Sequence, residues 1–423
     1  MKILLKNGEV GGEKKDLLIV DGKIAEGSVG GAEVIDCSGK VILPGVIDVH
    51  VHFREPGQNY KEDWEHASRA AVSGGVTTVC DMPNNQPPIV SVQDLEAKRN
   101  LIAGRSHVNY GIYIGYNGEN VEEINAAENV PGVKIYCAHS TGNMGVSNLE
   151  KAFSEIDPGK LLLFHAEDEE CMAVYKKQFE GETDPAVHSK IRAAECAAVM
   201  VQKLCDLAQK YQRRIHICHL STEGELEIVK KNRKLVTCEV APHHLVLSED
   251  DYGHFGNLIK VNPPIRSQKD VFAMWKGLKS GLIDLVATDH APHTLAEKAL
   301  PFSEVPSGVP GVEMMLPILL NAVNDDALTI NEVVQLCCVK PAEIFGIKNK
   351  GRIEIGYDAD LVVVDMELTK KFENKDVLSK CKWSPYAGGT YKGWPVMTFV
   401  KGKLVFRDGE FAEDFSGCEA DFA

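Results

Sequence analysis

Apolar and polar positions follow two different rhythms along this chain. At both ends the apolar residues come in short runs broken by glycine-containing turns: MKILLKNGEV, DLLIVDGKIAEG and EVIDCSGKVILPG at the start, GRIEIGYDADLVVVD and VMTFVKGKLVFRDGE at the finish. Runs of this kind predict β-strands. Neither end supplies enough strands for a stable sheet by itself. The economical solution pairs the two termini into one small composite β-sandwich domain, residues 1–44 together with 347–423.

Between the ends the rhythm changes. Eight buried-strand candidates follow in order: VIDVHVHF, VTTVCDMPN, VNYGIYIGY, GVKIYCA, LLLFHAED, RIHICHLS, LVTCEVAPHHL and IDLVATDHAPH. Most are separated by segments of helical apolar spacing, such as DWEHASRAAVSGG and KIRAAECAAVMVQKLCDLAQKYQRR. This alternation predicts a (β/α)8 TIM barrel over residues 45–346. The link from His244 to the eighth candidate is longer than its counterparts and contains VNPPIRSQKD, which predicts an elaborated loop.

Composition narrows the class of function. A hydrophobic content of 44% with 25% charged residues suits an ordinary globular protein. No apolar run approaches the roughly 20 residues that cross a bilayer, and the first ten residues lack a signal-peptide layout. The expectation is a cytoplasmic chain without a membrane partner. A formal charge of −15 argues against nucleic acid as a partner. It does not restrict a small anionic substrate, which needs only a local cationic pocket. The 12 cysteines are scattered with no CxxC pair, so reduced, mostly buried thiols are expected.

The chemistry lies in where polar residues interrupt the strand candidates. His50 and His52 end the first, Asn84 follows the second and Lys134 sits in the fourth; His165, His219 and Asp289 end the fifth, sixth and eighth. Barrel enzymes carry catalysis at the carboxyl ends of their strands, so these residues would meet at one mouth. A single histidine is as readily a satisfied core residue. A His-x-His pair on a strand is stronger, because residues two apart share a face and can bind one cation together. Lys134 leaves two readings open. It forms a buried salt bridge, or its amine is carboxylated to a carbamate whose two oxygens bridge two metals. Four histidines, one aspartate and a carbamate suit two zinc ions bridged by hydroxide.

The blocks VIDVHVHFREPG, DMPN, VKIY, FHAED, CHLS and ATDHAPH, in this order, resemble the signature blocks of the amidohydrolase superfamily, and within it those of the dihydroorotases. The resemblance runs through nearly the whole chain. It implies metal ligation by His50, His52, carboxylated Lys134, His165, His219 and Asp289, with Asp289 also moving the catalytic proton. It further implies zinc-dependent cyclisation of N-carbamoyl-L-aspartate to L-dihydroorotate, reversibly, in pyrimidine biosynthesis, by a homodimer.

Hydantoinases, dihydropyrimidinases and allantoinases share those ligands, so the ligands do not choose between them. Arg54, two residues beyond His52, does, because its guanidinium suits a substrate α-carboxylate that neutral rings lack. An alternative role for Arg54 is a structural pair with Glu55 or Asp63. The resemblance adds Asn84 and His293 as substrate contacts, and Asn262, where some relatives have arginine, as a further candidate. His243 and His244 lie near the mouth, in packing or in contact. The glycine-containing stretch 139–145 is read as a loop over the substrate. Against the enzyme stands a non-catalytic barrel kept as a binding partner, which usually loses ligands that are all present here.

Overall fold

The computed structural model describes residues 1–138, 144–414 and 417–423. Residues 139–143, most of the expected substrate-covering stretch, lie outside the described residues.

The eight strand candidates form the parallel staves of a barrel, hydrogen-bonded in chain order: Val46–Val51, Val76–Asp81, Asn109–Ile112 continuing through Ile114–Gly115, Val133–Tyr136, Leu162–His165, Ile215–Ile217, Val236–Val240 and Leu285–Val286. The third stave is interrupted at Tyr113, whose hydroxyl crosses the barrel to donate to the Val49 carbonyl at 2.8 Å. Closure comes from the first and last staves, where the His52 amide donates to the His290 carbonyl at 2.8 Å beside a parallel bridge between Val51 and His290. Ile47, Val49, Cys80, Leu163, Cys218 and Leu285 fill the lower interior, which Phe345 and Phe422 join from below.

Helices cover the outside because their sequences supply an apolar stripe and a start signal. Helix Ala194–Tyr211 buries Cys196, Ala197, Met200, Val201, Leu204, Cys205 and Ala208, the stripe of a 3.6-residue period. Ser91 and Thr222 open the helices after them with reciprocal capping boxes. The run 190–214 is not one helix. It breaks at Arg192–Ala193, and Arg192 turns inward to pair with Glu167. The long link after His244 folds as short helical turns around Leu247, Tyr252, Ile259, Val261 and Ile265, the elaborated loop that its length predicts, followed by helix Gln268–Lys279.

The two ends of the chain meet in one nine-stranded sheet, the junction being Val41–Pro44 antiparallel to Leu361–Val364. Side-chain alternation gives the sheet two faces. Ile42, Leu361, Val363 and Phe399 face a core of their own with Ile3, Leu5 and Ile19, whereas Leu43, Val362, Val364 and Val400 join the core of the barrel. Gly45 links sheet to barrel where a Cβ would lie 2.1 Å from Thr77 Oγ1, so no larger residue fits. The last residues leave the sheet for the barrel: Tyr110 donates to the Cys418 carbonyl and Ala420 to the Tyr110 carbonyl.

One expectation from composition is corrected. Cys171 and Cys196 are joined as a disulfide, while the other ten cysteines are free, nine of them buried. The pair bridges the helix starts at Glu169 and Ala194, which the backbone bond from Asp168 N to Cys196 O also draws together.

Candidate active site

A β-bulge builds the first half of the site. Along the first stave Ile47 and Val49 point into the barrel, so simple alternation would send Val51 inward and His50 and His52 out among the helices. The register slips by one residue between Asp48 and Val51, and Val51 and Phe53 instead pack outside with Trp64. His50 and His52 thereby enter the mouth. Asp48 sits at the slip and accepts from the His50 amide at 3.3 Å and the Thr288 amide at 3.0 Å.

Nine of the ten sequence-predicted site residues line a single cleft at this mouth: His50, His52, Arg54, Asn84, Lys134, His165, His219, Asn262 and Asp289. Tyr136, Ser307 and Gly308 complete its polar wall. His293, the tenth, lies behind the wall, fully buried, with Nε2 3.1 Å from the Ser307 carbonyl and 3.2 Å from an Arg54 nitrogen. Lys61 donates to its Nδ1 at 3.2 Å, which makes Nε2 the protonated nitrogen that donates to Ser307. His243 and His244 are buried outside the cleft lining.

Carboxylates and amides fix the imidazoles. His50 Nδ1 lies 2.5 Å from Glu239 Oε1, His165 Nε2 lies 2.8 Å from Glu167 Oε2, and His52 Nδ1 lies 2.6 Å from Asn84 Oδ1. In each case the ring's other nitrogen is left for the cleft. His50 Nε2 and His52 Nε2 converge on Asp289 Oδ1 at 3.3 and 3.0 Å, and His165 Nδ1 lies 3.0 Å from His219 Nε2. Burial lowers His52 to about 4 and holds His165 and His219 below the ordinary histidine range, so these imidazoles keep the lone pairs a metal needs. Burial alone would raise Asp289, but His50, His52 and His219 outweigh it and keep the carboxylate charged. His50, His219 and Asp289 offer donor atoms within 4.8 Å of one another, and His219 Nδ1 is buried without a hydrogen-bond partner among the described residues. This donor set fits metal ions of the zinc class.

Two cations sit in this mouth without a direct ion pair among the described residues. Lys134 is fully buried, its Nζ 2.9 Å from Cys218 Sγ, and it forms no ion pair among the described residues. Arg54 is 2% exposed, donates through Nε to the Pro292 carbonyl at 3.3 Å, and likewise has no ion pair among the described residues. The acids that offered Arg54 a structural role are engaged elsewhere: Glu55 pairs with Arg105, and Asp63 pairs with Lys380 and His66. The strand ends at Val51, so alternation does not carry Arg54 to the cleft. A left-handed residue does, at φ +63°; His219 and Asp289 share that region at +38° and +48°. Strained backbone of this kind concentrates where function over-determines geometry.

Sequence reasoning missed Glu239, Glu167 and Tyr136. The signal was present, since each is a polar residue at or just beyond the end of an apolar strand run: VTCEV, LLFHAE and VKIY.

Comparison with known proteins agrees with this architecture. Residues 41–405 match the model of the amidohydrolase family. The chain is 36% identical to a dihydroorotase of Methanosarcina acetivorans, over 97% of this chain and 91% of the relative. It is 34% identical to a dihydroorotase of Methanothermobacter thermautotrophicus, over 93% and 91%. Among solved structures, an L-hydantoinase (dihydropyrimidinase) from Arthrobacter aurescens superposes with a TM-score of 0.95 at 30% identity, covering 99% of each chain. With a family match that spans most of its length and relatives aligned almost end to end, the chain belongs to the amidohydrolase family.

Proposed function

We propose that this chain is a dihydroorotase, interconverting L-dihydroorotate and N-carbamoyl-L-aspartate in pyrimidine synthesis in the cytoplasm, as a homodimer whose barrel spans residues 45–346. The carrying observation is Arg54, a guanidinium buried in the cleft beside the metal-type donors that makes no ion pair among the described residues. An uncompensated buried charge costs several kcal/mol, a large part of a typical net stability. A substrate α-carboxylate would offset that cost through a bidentate contact. Dihydroorotate and carbamoyl aspartate carry this group; hydantoin, dihydrouracil and allantoin do not.

His50, His52, His165, His219 and Asp289 would hold two zinc ions, with Lys134 between them as a carbamate. The same desolvation argument supports carboxylation of Lys134, which would turn an unpaired buried cation into an anion. Bound there, zinc supplies Lewis acidity and lowers the pKa of water. The protein's own part is orientation and proton transfer. Arg54, with Asn84 and Asn262 beside it, fixes the end of the substrate remote from the reacting bond. His293, locked by Lys61 and Ser307, packs behind the Arg54 fork without accepting from it. Asp289, at the junction of His50 and His52, takes a proton from the attacking water and returns it to the departing ring nitrogen. In the synthetic direction it removes that proton from the ureido nitrogen.

Replacing Arg54 tests this reading. Arg54→Met should lower kcat/KM for dihydroorotate at least about 100-fold and leave any slow turnover of dihydrouracil unchanged. Equal losses on both substrates, or no loss on either, would remove Arg54 as the carboxylate reader.

A further inference from the structure

Resting on the reading of the cleft as a cyclic amidase, we infer that Tyr136 is a catalytic residue whose phenol donates a hydrogen bond to the oxygen of the scissile carbonyl as negative charge develops there. Tyr136 ends the fourth stave two residues after Lys134, so both side chains share the inward face. It lines the cleft at 4% exposure, and its Oη is buried with no hydrogen-bond partner among the described residues. Leaving a buried hydroxyl unmet costs about 1–3 kcal/mol. The barrel's other central tyrosine shows the ordinary solution, for Tyr113 Oη donates to a carbonyl. Tyr136 therefore holds a donor unspent among the described residues, inside the cleft that the metal-type donors line.

Its neighbours indicate which ligand atom it meets. The ring centroid lies 5.2 Å from Lys134 Nζ and 6.1 Å from that of His165, which sets the ring beside the metal-type donors. The substrate's remote carboxylate falls to Arg54, a charged and stronger partner. What remains near the donor set is the carbonyl of the breaking amide, an acceptor whose charge grows during the reaction. A donor positioned there on folding, with no competing bond to break, strengthens as the carbon–oxygen bond forms. The phenol keeps its proton throughout. The carbonyl electron pair moves onto the oxygen, then returns as the carbon–nitrogen bond breaks, and the nitrogen takes its proton from Asp289.

Tyr136→Phe removes only the hydroxyl. The variant is compared with the parent for zinc content, Tm and kinetics, using whichever of dihydroorotate, dihydrouracil or allantoin the parent turns over fastest. The expected result is unchanged zinc content, a Tm equal to or above the parent's, KM within about threefold and kcat about 100-fold lower. A kcat within twofold of the parent overturns the proposal. Loss of zinc or a fall in Tm alongside lost activity also overturns it, by assigning the hydroxyl to holding Lys134 in place. A parent that prefers dihydrouracil refutes the dihydroorotase reading and leaves this comparison intact.

Discussion

Glu239 holds two imidazoles at once: Oε1 lies 2.5 Å from His50 Nδ1, and Oε2 lies 3.1 Å from His216 Nε2. The carboxylate thus fixes which His50 nitrogen faces Asp289. Outer partners of this kind typically contribute 10- to 100-fold in metal affinity. Glu239→Gln keeps the shape and weakens the acceptor, so zinc affinity in a competition titration with a chromophoric chelator should fall about tenfold. Unchanged affinity would show that His50 is oriented by packing alone.

Lys134 gives a second test. Lys134→Ala should lose most bound zinc and lower activity at least about 100-fold, and short carboxylic acids should restore part of both by occupying the vacated space as surrogate anions. A variant with full activity, or one that no carboxylic acid rescues, would count against a carbamate at this position.

How far the site could be read from sequence follows from the same residues. Histidines inside buried strand runs are conspicuous, because apolar neighbours make an imidazole costly without a partner. His50, His52, His165 and His219 therefore stood out. Arg54 reached the cleft for a reason that alternation misses, the left-handed turn after Val51. The bulge at Asp48–Val51 was equally hidden, since a one-residue slip leaves no mark in an apolar pattern. His293 lies behind the wall against Arg54, a placement that depends on Lys61 and Ser307, far apart in sequence. The Cys171–Cys196 bond is of the same kind: 25 residues of separation carry no signature, and only the convergence of two helix starts joins them.

Stability should carry a pH signature away from the cleft. Burial raises Glu313 to about 7, and the nearby Glu62 adds to the rise despite a 3.0 Å bond from the Leu378 amide. Between the ordinary value of 4.5 and about 7 the folded protein keeps this proton while the unfolded chain has lost it. Stability from this group therefore falls as pH rises through that window and is flat above it. Glu313→Gln should remove this part of the decline and raise Tm at pH 8 by about 2 °C. Parallel Tm profiles for parent and variant from pH 4.5 to 8 would contradict the assignment.

On the proposed function the cleft reads a carboxylate on a cyclic amide, although the matched hydantoinase fold is the same. The most direct measurement is kcat/KM of the zinc-loaded protein for dihydroorotate, dihydrouracil and allantoin under one set of conditions. Dihydroorotate should exceed both neutral rings by at least about 100-fold, the worth of a buried charge pair. Turnover of dihydrouracil or allantoin equal to or faster than that of dihydroorotate would contradict the proposed function.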